Sequence, residues 1–284
     1  MTIVCVGDLM VDVVAQLPGP LATGSDTPAA VTLHGGGAAA NVAAWLTELD
    51  EDAMFVGRVG DDVAGREAIG SLASGGVRCA VSVDPARPTG MCIVLVDPTG
   101  ERTMVPSTGA NAGLGEASFE LPSDARLVYV SGYALLGAGS RPFALAAIRA
   151  ARGMRVPIAV DAASSAPLAA AADFAQWIGE DVLLFANADE ARVLTGDVDP
   201  LAAARLLGTR FGEAVVKLGA EGAVHSSGSA VRAHEVEVVD STGAGDAFAA
   251  GFLSARVAGG AVEDALARGV SCATRAITRL GARP

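Results

Sequence analysis

Residues 235–252 read EVEVVDSTGAGDAFAAGF, a strand-like run, a turn of small residues and a helix that we expect to begin at about Gly245. Small residues let the backbone turn tightly, so that successive N–H groups converge at the start of the helix. The helix dipole favours negative charge at the same point. The segment therefore predicts an anion hole, built from the backbone of Gly243, Ala244 and Gly245, that suits a phosphoryl group in transfer.

Asp246 lies in the first turn of this helix, beside the predicted anion hole. A carboxylate there can accept the proton of an attacking hydroxyl, and phosphoryl transfer requires at least one positioned group of this kind. The alternative is that Asp246 complements the helix dipole and the glycines make an ordinary turn. The motif alone does not decide between the two.

Strand-like and helical segments alternate through most of the chain. Strands are expected at 2–6, 53–56, 127–131, 156–160, 182–185, 214–218 and 222–225, and helices at 38–49, 141–153, 168–178, 188–195, 199–208 and 262–280. This alternation is typical of βαβ units. It predicts an α/β fold with a central, mostly parallel sheet flanked by helices on both faces.

Two regions break the alternation, because their strand-like runs have no helix between them. The runs are 11–16, 31–34, 91–96 and 102–105, and DPTG at 97–100 is typical of a hairpin turn. Segments of about 11–34 and 89–106 therefore predict a small antiparallel sheet that stands off the main one as a lid. No Ser/Pro-rich linker separates them, so we interpret residues 1–284 as a single domain with the lid inserted.

Composition and charge narrow the class of partner. A chain of 284 residues, 51% of them hydrophobic, can bury a sizeable core. Its net charge of −12 disfavours nucleic acid and anionic membranes as partners and favours small molecules. The four cysteines lack metal-ligand spacing, and no signal peptide or long apolar stretch is visible. These features predict a cytoplasmic protein with reduced cysteines and no membrane association.

Two further clusters lie near the N-terminus. Residues 35–41 read GGGAAAN, in which glycines such as Gly36 and Gly37 allow a ligand close to the backbone and Asn41 can hydrogen-bond hydroxyls. Asp12 follows the first strand, near the carboxyl end of the sheet, where open α/β folds bind ligands. The alternatives are a flexible turn for the glycines and a solvated turn for Asp12.

Two motifs follow later strands. Asn187 and Glu190 open a helix after the strand at 182–185, and a helix cap is the competing explanation for the pair. KLGAEG at 217–222 closes another strand and contains the only lysine of the chain, Lys217. A surface lysine at a strand end would give the same pattern.

Together these motifs resemble the PfkB, or ribokinase-like, family of carbohydrate kinases. DSTGAGDAFAAGF at 240–252 is similar to the second family signature, D-T-x-G-A-G-D, which ends in the catalytic base. GGGAAAN at 35–41 is similar to the first signature, G-G-x-x-x-N, and GDDVAG at 60–65 resembles the G-x-D-x-x-G stretch. The motifs follow the family order from Gly7 to Gly281, and two signatures in order are far more specific than one.

The resemblance implies an ATP-dependent kinase that phosphorylates a hydroxymethyl group of a sugar, with Asp246 as base. It assigns the acceptor to Asp12, Gly36, Gly37 and Asn41, and the nucleotide to Asn187, Glu190, Lys217, Gly219, Gly222 and Thr242. Glu190 would organise Mg²⁺ through water, as suits an ion that keeps much of its hydration. Asp240 and Thr242, with backbone near Gly281, resemble a monovalent-cation loop that would hold K⁺.

The acceptor stays open at this point. DAASSAP at 161–167 lacks the Asn and Arg of the D-x-N-x-R motif that many sugar kinases of the family carry, and Ala38 stands where other subgroups have Lys or Gly. A nucleoside kinase for pseudouridine, adenosine or inosine is therefore the alternative. A phosphorylated acceptor is less favoured, because no arginine cluster is visible near the expected acceptor site. Since family lids often pair between subunits, a homodimer also stays open.

Two other classes fit the sequence less well. A dinucleotide-dependent dehydrogenase predicts G-x-G-x-x-G after an early strand, whereas the first strand ends in GDLM at 7–10, and no Walker A motif occurs. A ligand-binding pseudokinase of the same fold would be expected to have lost the base or the anion-hole glycines. Asp246 and both glycines are present.

Overall fold

The strand-like runs of the sequence form two sheets. The structure, a computed structural model, describes residues 1–100 and 102–284. Its strands are β1 Thr2–Val6, β2 Met10–Gln16, β3 Ala30–Gly36, β4 Ala53–Gly60, β5 Arg78–Asp84, β6 Gly90–Val96, β7 Arg102–Ser107, β8 Ala125–Ser131, β9 Ile158–Asp161, β10 Val182–Asn187, β11 Gly212–Lys217, β12 Ala223–His225 and β13 Ala230–Val231. Its helices are α1 Ala38–Glu48, α2 Val63–Ser74, α3 Gly132–Leu136, α4 Arg141–Met154, α5 Ser165–Ala169, α6 Phe174–Ile178, α7 Ala188–Thr195, α8 Pro200–Phe211, α9 Ala244–Val257 and α10 Val262–Ile277, with 3-10 turns at Gly109–Glu116 and Gly219–Glu221.

The large sheet has nine strands in the order β13-β12-β11-β10-β9-β8-β1-β4-β5. Neighbours from β5 to β11 run parallel, and β12 and β13 add an antiparallel edge. Every residue of β1 is buried. Such burial is typical of a strand covered on both faces, which requires a nearly continuous apolar run. The predicted α/β fold, with a mostly parallel central sheet, is confirmed.

Two hydrophobic cores lie on the two faces of this sheet. Successive residues of a strand point to opposite faces, so Ile3 and Cys5 of β1 pack in one core and Val4 and Val6 in the other. Helices α1, α2, α9 and α10 complete the first core, and α3 to α8 complete the second. Because both faces are covered, the strand ends are what remains for binding ligands.

The lid is a separate sheet of four strands in the order β3-β2-β6-β7. The predicted turn between β6 and β7 is confirmed by a 3.0 Å hydrogen bond from Gly100 N to Asp97 O. The pairs β2–β3 and β6–β7 are antiparallel, as predicted, whereas β2 and β6 at the centre are parallel. A parallel pair is possible there because the chain returns to the lid through α1, β4, α2 and β5 instead of a hairpin.

Several local predictions were wrong. Residues 235–239 do not form a strand, because the Val239 amide donates to the Ile277 carbonyl at the end of α10 instead of to another strand. The helix expected at 168–178 is two short helices, α5 and α6, separated by a turn in which Ala171 N donates to Leu168 O. The last helix ends at Ile277, before the expected 280.

The region between β4 and β6 has structure that the sequence analysis did not name. It holds the edge strand β5 and the helix α2. Asp62 caps the start of α2, because its side chain accepts a hydrogen bond from Gly65 N at 2.8 Å. Within the described residues no helix combines the length and the apolarity that crossing a bilayer requires.

Candidate active site

A cavity of about 800 Å³ lies between the carboxyl ends of the large-sheet strands and the lid. Twelve of the predicted site residues line it: Asp12, Gly37, Asn41, Asn187, Glu190, Lys217, Gly219, Thr242, Gly243, Ala244, Gly245 and Asp246. A second cavity, of about 620 Å³, lies at the opposite strand ends and is lined by residues such as Met1, Ile158 and Gly212. The chemistry-bearing residues of the sequence motifs therefore share the first cavity.

The anion-hole turn precedes α9, whose first residue is Ala244. Gly243 has φ +73°, a left-handed conformation that glycine adopts readily, and a Cβ there would lie 2.6 Å from the Ala282 Cβ. No carbonyl within the helix accepts from the first-turn amides. Gly243, Ala244 and Gly245 line the cavity at the start of this helix, where the sequence analysis expects the anion hole.

Asp246 lies in the first turn of α9 and lines the cavity. Asn41, on α1, donates from Nδ2 to Asp246 Oδ2 at 2.8 Å. Removal from bulk water raises the Asp246 pKa to about 7, assisted by the Asp161 carboxylate, while Asn41 and Lys217 oppose the shift. A carboxyl group with such a pKa can take up a proton near neutral pH.

Four residues at neighbouring strand ends, Asp161, Asn187, Glu190 and Lys217, form what we call the strand-end group. Lys217 Nζ lies 2.7 Å from Asp161 Oδ2 across the end of β10. Burial alone would lower the Lys217 pKa, but the Asp161 and Glu190 carboxylates outweigh it and raise that pKa. Lys217 therefore stays an ammonium group inside the cavity.

Asn187 and Glu190 form a capping box at the start of α7. Glu190 N donates to Asn187 Oδ1 at 2.9 Å, and Asn187 N donates to Glu190 Oε2 at 2.8 Å. The helix cap considered for this pair is thus present, and the Glu190 side chain lines the cavity as well. Burial, together with the carboxylate of Asp161, raises the Glu190 pKa. A capping role and a cavity role coexist in one residue.

The KLGAEG motif divides into parts with different surroundings. A Cβ on Gly245 would lie 3.1 Å from Lys217 Nζ, so the ammonium group reaches the anion hole rather than the nucleotide loop alone. Gly219, with φ +59° and no atom within 4 Å of the point where a Cβ would lie, lines the cavity. Gly222 does not, because it packs against β13, where a Cβ would lie 1.9 Å from the Val231 carbonyl oxygen.

The opposite wall comes from distant parts of the chain. We call Asp12, Asn41, Arg102 and Arg283 the lid-side group. Asp12, on β2, is buried, and burial raises its pKa to about 6 against the opposing charge of Arg283. Gly36 does not line the cavity, but a Cβ there would lie 2.2 Å from Asp12 Oδ1, so its lack of a side chain makes room for that carboxylate.

Asp240 holds the anion-hole turn in place. Its Oδ1 accepts from Thr242 N at 2.9 Å and from Thr242 Oγ1 at 2.6 Å, and its Oδ2 accepts from Gly281 N at 2.9 Å. Burial would raise the Asp240 pKa, but these hydrogen bonds and Arg102 outweigh it and lower that pKa. Asp240, Thr242 and the backbone at Gly281 are therefore adjacent, while the cation loop expected there stays a prediction.

Two arginines at the acceptor side were missed. Arg102, on β7, donates from Nη1 to Thr242 Oγ1 at 2.6 Å and lies 3.8 Å from Asp240 Oδ1. Arg283 donates to Asn41 Oδ1 at 3.1 Å. The arginines that the sequence analysis did not find near the acceptor are therefore there. Arg102 lines the cavity, whereas Arg283 lies behind Asn41 and does not line it. No local motif identifies either one, because both are brought to their positions by long-range folding.

Several carboxylates line the cavity. Asp161, Glu190 and Asp246 line it with one ammonium group, Lys217, so negative charge is in excess among them. Such a donor set suits a hard cation with oxygen ligands. In the described part of the chain, no three His, Cys, Asp or Glu side chains are close enough to hold a metal ion directly.

Comparisons with known proteins identify relatives of this chain. The family profile of pfkB carbohydrate kinases matches residues 1–284. The ATP-dependent ribose-1-phosphate kinase of Halopiger xanaduensis is 35% identical over 256 residues, covering 88% of this chain and 82% of that protein. The fructokinase of Klebsiella pneumoniae is 31% identical, covering 87% of each chain.

The fold comparison agrees. The crystal structure of adenosine kinase from Sinorhizobium meliloti superimposes with a TM-score of 0.89 at 26% identity, covering 100% of this chain and 95% of that chain. The resemblance of the two sequence signatures is thereby confirmed. The chain belongs to the pfkB family of carbohydrate kinases, which transfer a phosphoryl group to an alcohol acceptor.

Proposed function

We propose that this protein transfers the γ-phosphoryl group of ATP to the hydroxymethyl group of a sugar, with Asp246 as the general base. The observation that carries the proposal is the position of Asp246, in the first turn of α9 beside the anion-hole amides, with a pKa raised to about 7 by burial. A base with this pKa accepts a proton at neutral pH and stays close to the developing charge.

The reaction is an in-line transfer. A carboxylate oxygen of Asp246 takes the proton of the hydroxymethyl group, the resulting oxygen attacks the γ-phosphorus, and the bond to the β-phosphate oxygen breaks to leave ADP. Lys217 and the amides of Gly243 to Gly245 stabilise the negative charge of the transferring phosphoryl group. Asp12 and Asn41 orient the acceptor, and the lid excludes water.

ATP and Mg²⁺ are the proposed cofactors. Support for ATP comes from the ATP-dependent relative and from the strand-end group, which lies beside Gly219 in the cavity. Glu190 and Asn187 would hold hydrated Mg²⁺, which fits the excess of carboxylates and needs few direct protein ligands. When bound, the ion supplies neutralisation of the phosphate charge.

A phosphorylated sugar is the second candidate acceptor. It is favoured by Arg102, whose guanidinium group lines the cavity on the lid side, and by the name of the 35% identical relative, a ribose-1-phosphate kinase. Arginine binds phosphate through charge-assisted hydrogen bonds. A nucleoside acceptor remains the third candidate, supported by the adenosine kinase neighbour.

A monovalent cation such as K⁺ is proposed at Asp240 and Thr242. The carboxylate and the surrounding backbone offer oxygen donors of the right kind, and Arg102, 3.8 Å from Asp240, supplies a competing positive charge. Assays in KCl and in choline chloride at equal ionic strength test this site. Faster turnover in KCl supports it, and equal turnover would mean that Arg102 alone satisfies the loop.

The lid is proposed to pair with the lid of a second copy. Its outer face carries a row of apolar residues set by the strand register, in which Val13 pairs with Leu33 and Ile93 pairs with Val105. Leu33 is 68% exposed and Val105 is 54% exposed. Leu33→Glu should reduce the mass in sedimentation, whereas Val198→Glu, at an exposed position elsewhere, should not; a monomeric wild type would end the proposal.

We place the protein in the cytoplasm, where its four free cysteines would stay reduced. Its small-molecule partner is consistent with the net charge of −12.

An acceptor panel tests the proposed function. ADP release would be measured with Mg·ATP and fructose, ribose, ribose 1-phosphate, adenosine, inosine or pseudouridine, and the phosphorylated product would be isolated. Acceptor-dependent ADP release, above the rate without acceptor, is the expected result. ATP binding without any acceptor-dependent release across the panel would count against the kinase assignment.

A further inference from the structure

A chain of hydrogen bonds links Arg283 to the catalytic base. Arg283 Nε donates to Asn41 Oδ1 at 3.1 Å, and Asn41 Nδ2 donates to Asp246 Oδ2 at 2.8 Å. A second bond runs from Arg283 Nη2 to the carbonyl oxygen of Gly36 at 2.7 Å. Asn41 is therefore held between a cation and the base.

The chemistry of the two partners permits only one orientation of the Asn41 amide. A guanidinium group can only donate hydrogen bonds, and an ionised carboxylate can only accept them. With its oxygen toward Arg283, the amide presents its NH₂ group to Asp246. The flipped amide would place NH₂ against guanidinium and oxygen against carboxylate, which loses both bonds in a buried setting.

Room for the guanidinium group is built into the glycines of the first signature. A Cβ on Gly35 would lie 2.4 Å from Arg283 Nη1. Nη1 itself is buried and has no hydrogen-bond partner among the described residues. A side chain at position 35 would displace the guanidinium group from this position beside β3. This steric reason for glycine at position 35 is independent of any contact with the acceptor.

The segment that carries Arg283 is anchored on both sides of the anion hole. Trp45 Nε1 donates to the Ala282 carbonyl at 2.9 Å, and Gly281 N donates to Asp240 Oδ2 at 2.9 Å. Ala282 also packs against Gly243. The backbone before Arg283 is consequently fixed relative to α1 and to the anion-hole turn.

The charge of Arg283 persists in this setting. Burial lowers its pKa to about 10, and the carboxylates of Asp12, Asp246 and Asp8 oppose that shift. The group is therefore positively charged throughout the neutral range. It also opposes the burial-driven rise of the Asp12 pKa.

We propose that Arg283 is a positioning residue for phosphoryl transfer: it holds the Asn41 amide so that its NH₂ group donates to Asp246 and fixes the base in the cavity. The proposal rests on the proposed function. It predicts that Arg283 acts through Asn41, so that the two residues behave as one unit toward the base.

A double-mutant cycle tests this coupling. Arg283→Met should lower kcat by ~10- to 100-fold, because the base loses its orientation. The KM for ATP should stay within ~3-fold, because the residues proposed to bind the nucleotide are unchanged. In an Asn41→Ala background, the same substitution should lower kcat by less than ~3-fold. Arg283→Lys, which keeps the charge but not the planar fork that bonds Asn41 and Gly36 together, should recover part of the activity.

Arg279→Met is the matched control. Arg279 lies in the same segment and stacks on Trp45 at 5.6 Å, so Arg279→Met should change kcat by less than ~3-fold relative to the same background without it, whether that background is wild type or Asn41→Ala. Fully multiplicative effects of Arg283→Met and Asn41→Ala would overturn the proposal, since they would show that Arg283 does not act through Asn41. Wild-type kcat in Arg283→Met would overturn it too.

A second readout needs no substrate. The unfolding free energies of the wild type and Asp246→Asn would be compared from pH 5 to pH 9, which locates the titration of Asp246 in the folded protein. Its neighbours Asp161, Lys217 and Asp8 are present in every variant. Arg283→Met should move this titration to higher pH because the Asn41 donor is released; an unmoved titration would overturn the proposal. Failure of the proposed function would appear instead as absent turnover in the wild type.

Discussion

The strand-end group lines the cavity from one side and the lid-side group forms the other, with Arg283 behind Asn41, and the two groups are assembled differently. Asp161, Glu190 and Lys217 follow directly from neighbouring parallel strands, β9, β10 and β11, whose carboxyl ends meet at one sheet edge. Asp12 and Arg283 come instead from β2 and from the segment after α10, and are brought together by long-range packing. The first group depends on the sheet alone, whereas the second depends on the lid and the end of the fold.

We propose that this difference separates chemistry from recognition. The strand-end group supplies an ammonium group at the anion hole and carboxylates suited to a hydrated cation, which any acceptor requires. The lid-side group instead contains two guanidinium groups, which donate hydrogen bonds to Thr242 and Asn41. We therefore expect damage to the first group to lower kcat for every acceptor, and damage to the second to depend on the acceptor.

The largest effect in this comparison is expected from Lys217→Met. Its ammonium group lies at the anion hole and pairs with Asp161, so its removal takes away charge stabilisation and leaves a carboxylate unpaired. We expect kcat to fall by ~100- to 1,000-fold with every acceptor. Arg192→Met, at an exposed pair with Asp189, is the control in the steady-state assay. A loss that varied strongly with the acceptor would break the division between the two groups.

Gly243→Ala is next. The new Cβ would meet Ala282 at 2.6 Å in a left-handed conformation, so both strain and overpacking act. We expect a loss of ~2–4 kcal/mol in unfolding free energy and at least ~10-fold in kcat. Gly259→Ala, beyond the other end of α9, has φ +83° and nothing within 4 Å, and should cost only ~1 kcal/mol with kcat unchanged. Equal losses of unfolding free energy in the two variants would show that the contact with Ala282 adds nothing to the cost of Gly243→Ala.

Arg102→Met probes the lid-side group. Loss of the guanidinium group breaks its bond to Thr242 and removes positive charge from the acceptor wall. For a phosphorylated acceptor we expect kcat/KM to fall by ~10- to 100-fold, and for a neutral sugar by less than ~5-fold. Arg66→Met, at an exposed pair with Asp61, is the control. The ratio between the two acceptors in a competition assay therefore identifies the preferred class.

The last prediction concerns stability alone, without any assay of turnover. The Asp246 pKa is raised from 3.8 to about 7, so the folded protein loses stability as pH rises from about 4 through about 7. Asp246→Asn removes this penalty and should be more stable than wild type at pH 8, by at most ~4 kcal/mol, with a smaller difference at pH 5. Chemical denaturation at both pH values measures it. If the wild type and Asp246→Asn had equal unfolding free energies at pH 8, Asp246 would not be desolvated in the folded protein.

The two groups also differ in how far the sequence predicts them. Asp246, Lys217 and the glycines before α9 sit in local motifs at strand ends or helix starts, where the pattern predicts both the element and the exposed side chain. The sheet and most helices could be predicted for the same reason. The pairing of Lys217 with Asp161 could not be, because it depends on which strands are neighbours.

Long-range contacts account for what the sequence did not predict. Arg283 and Asn41 are far apart in the chain and no periodicity relates them, so their hydrogen bond follows only from the packing of Ala282 on Trp45 and Gly243. The run 235–239 alternates as a strand would, yet no neighbouring strand accepts it. Gly222, assigned to the nucleotide from its motif, is required instead by the close approach of Val231.

Single-turnover phosphoryl transfer by wild type and Asp246→Asn, from pH 5 to pH 9, tests the central claim most directly. The wild-type rate should rise with pH and level off above about 7, the pKa of the buried carboxyl group. Asp246→Asn should bind ATP as tightly as wild type, transfer ~100- to 10,000-fold more slowly and lack the rise. Transfer by Asp246→Asn within ~10-fold of wild type would contradict the assignment of Asp246 as the base.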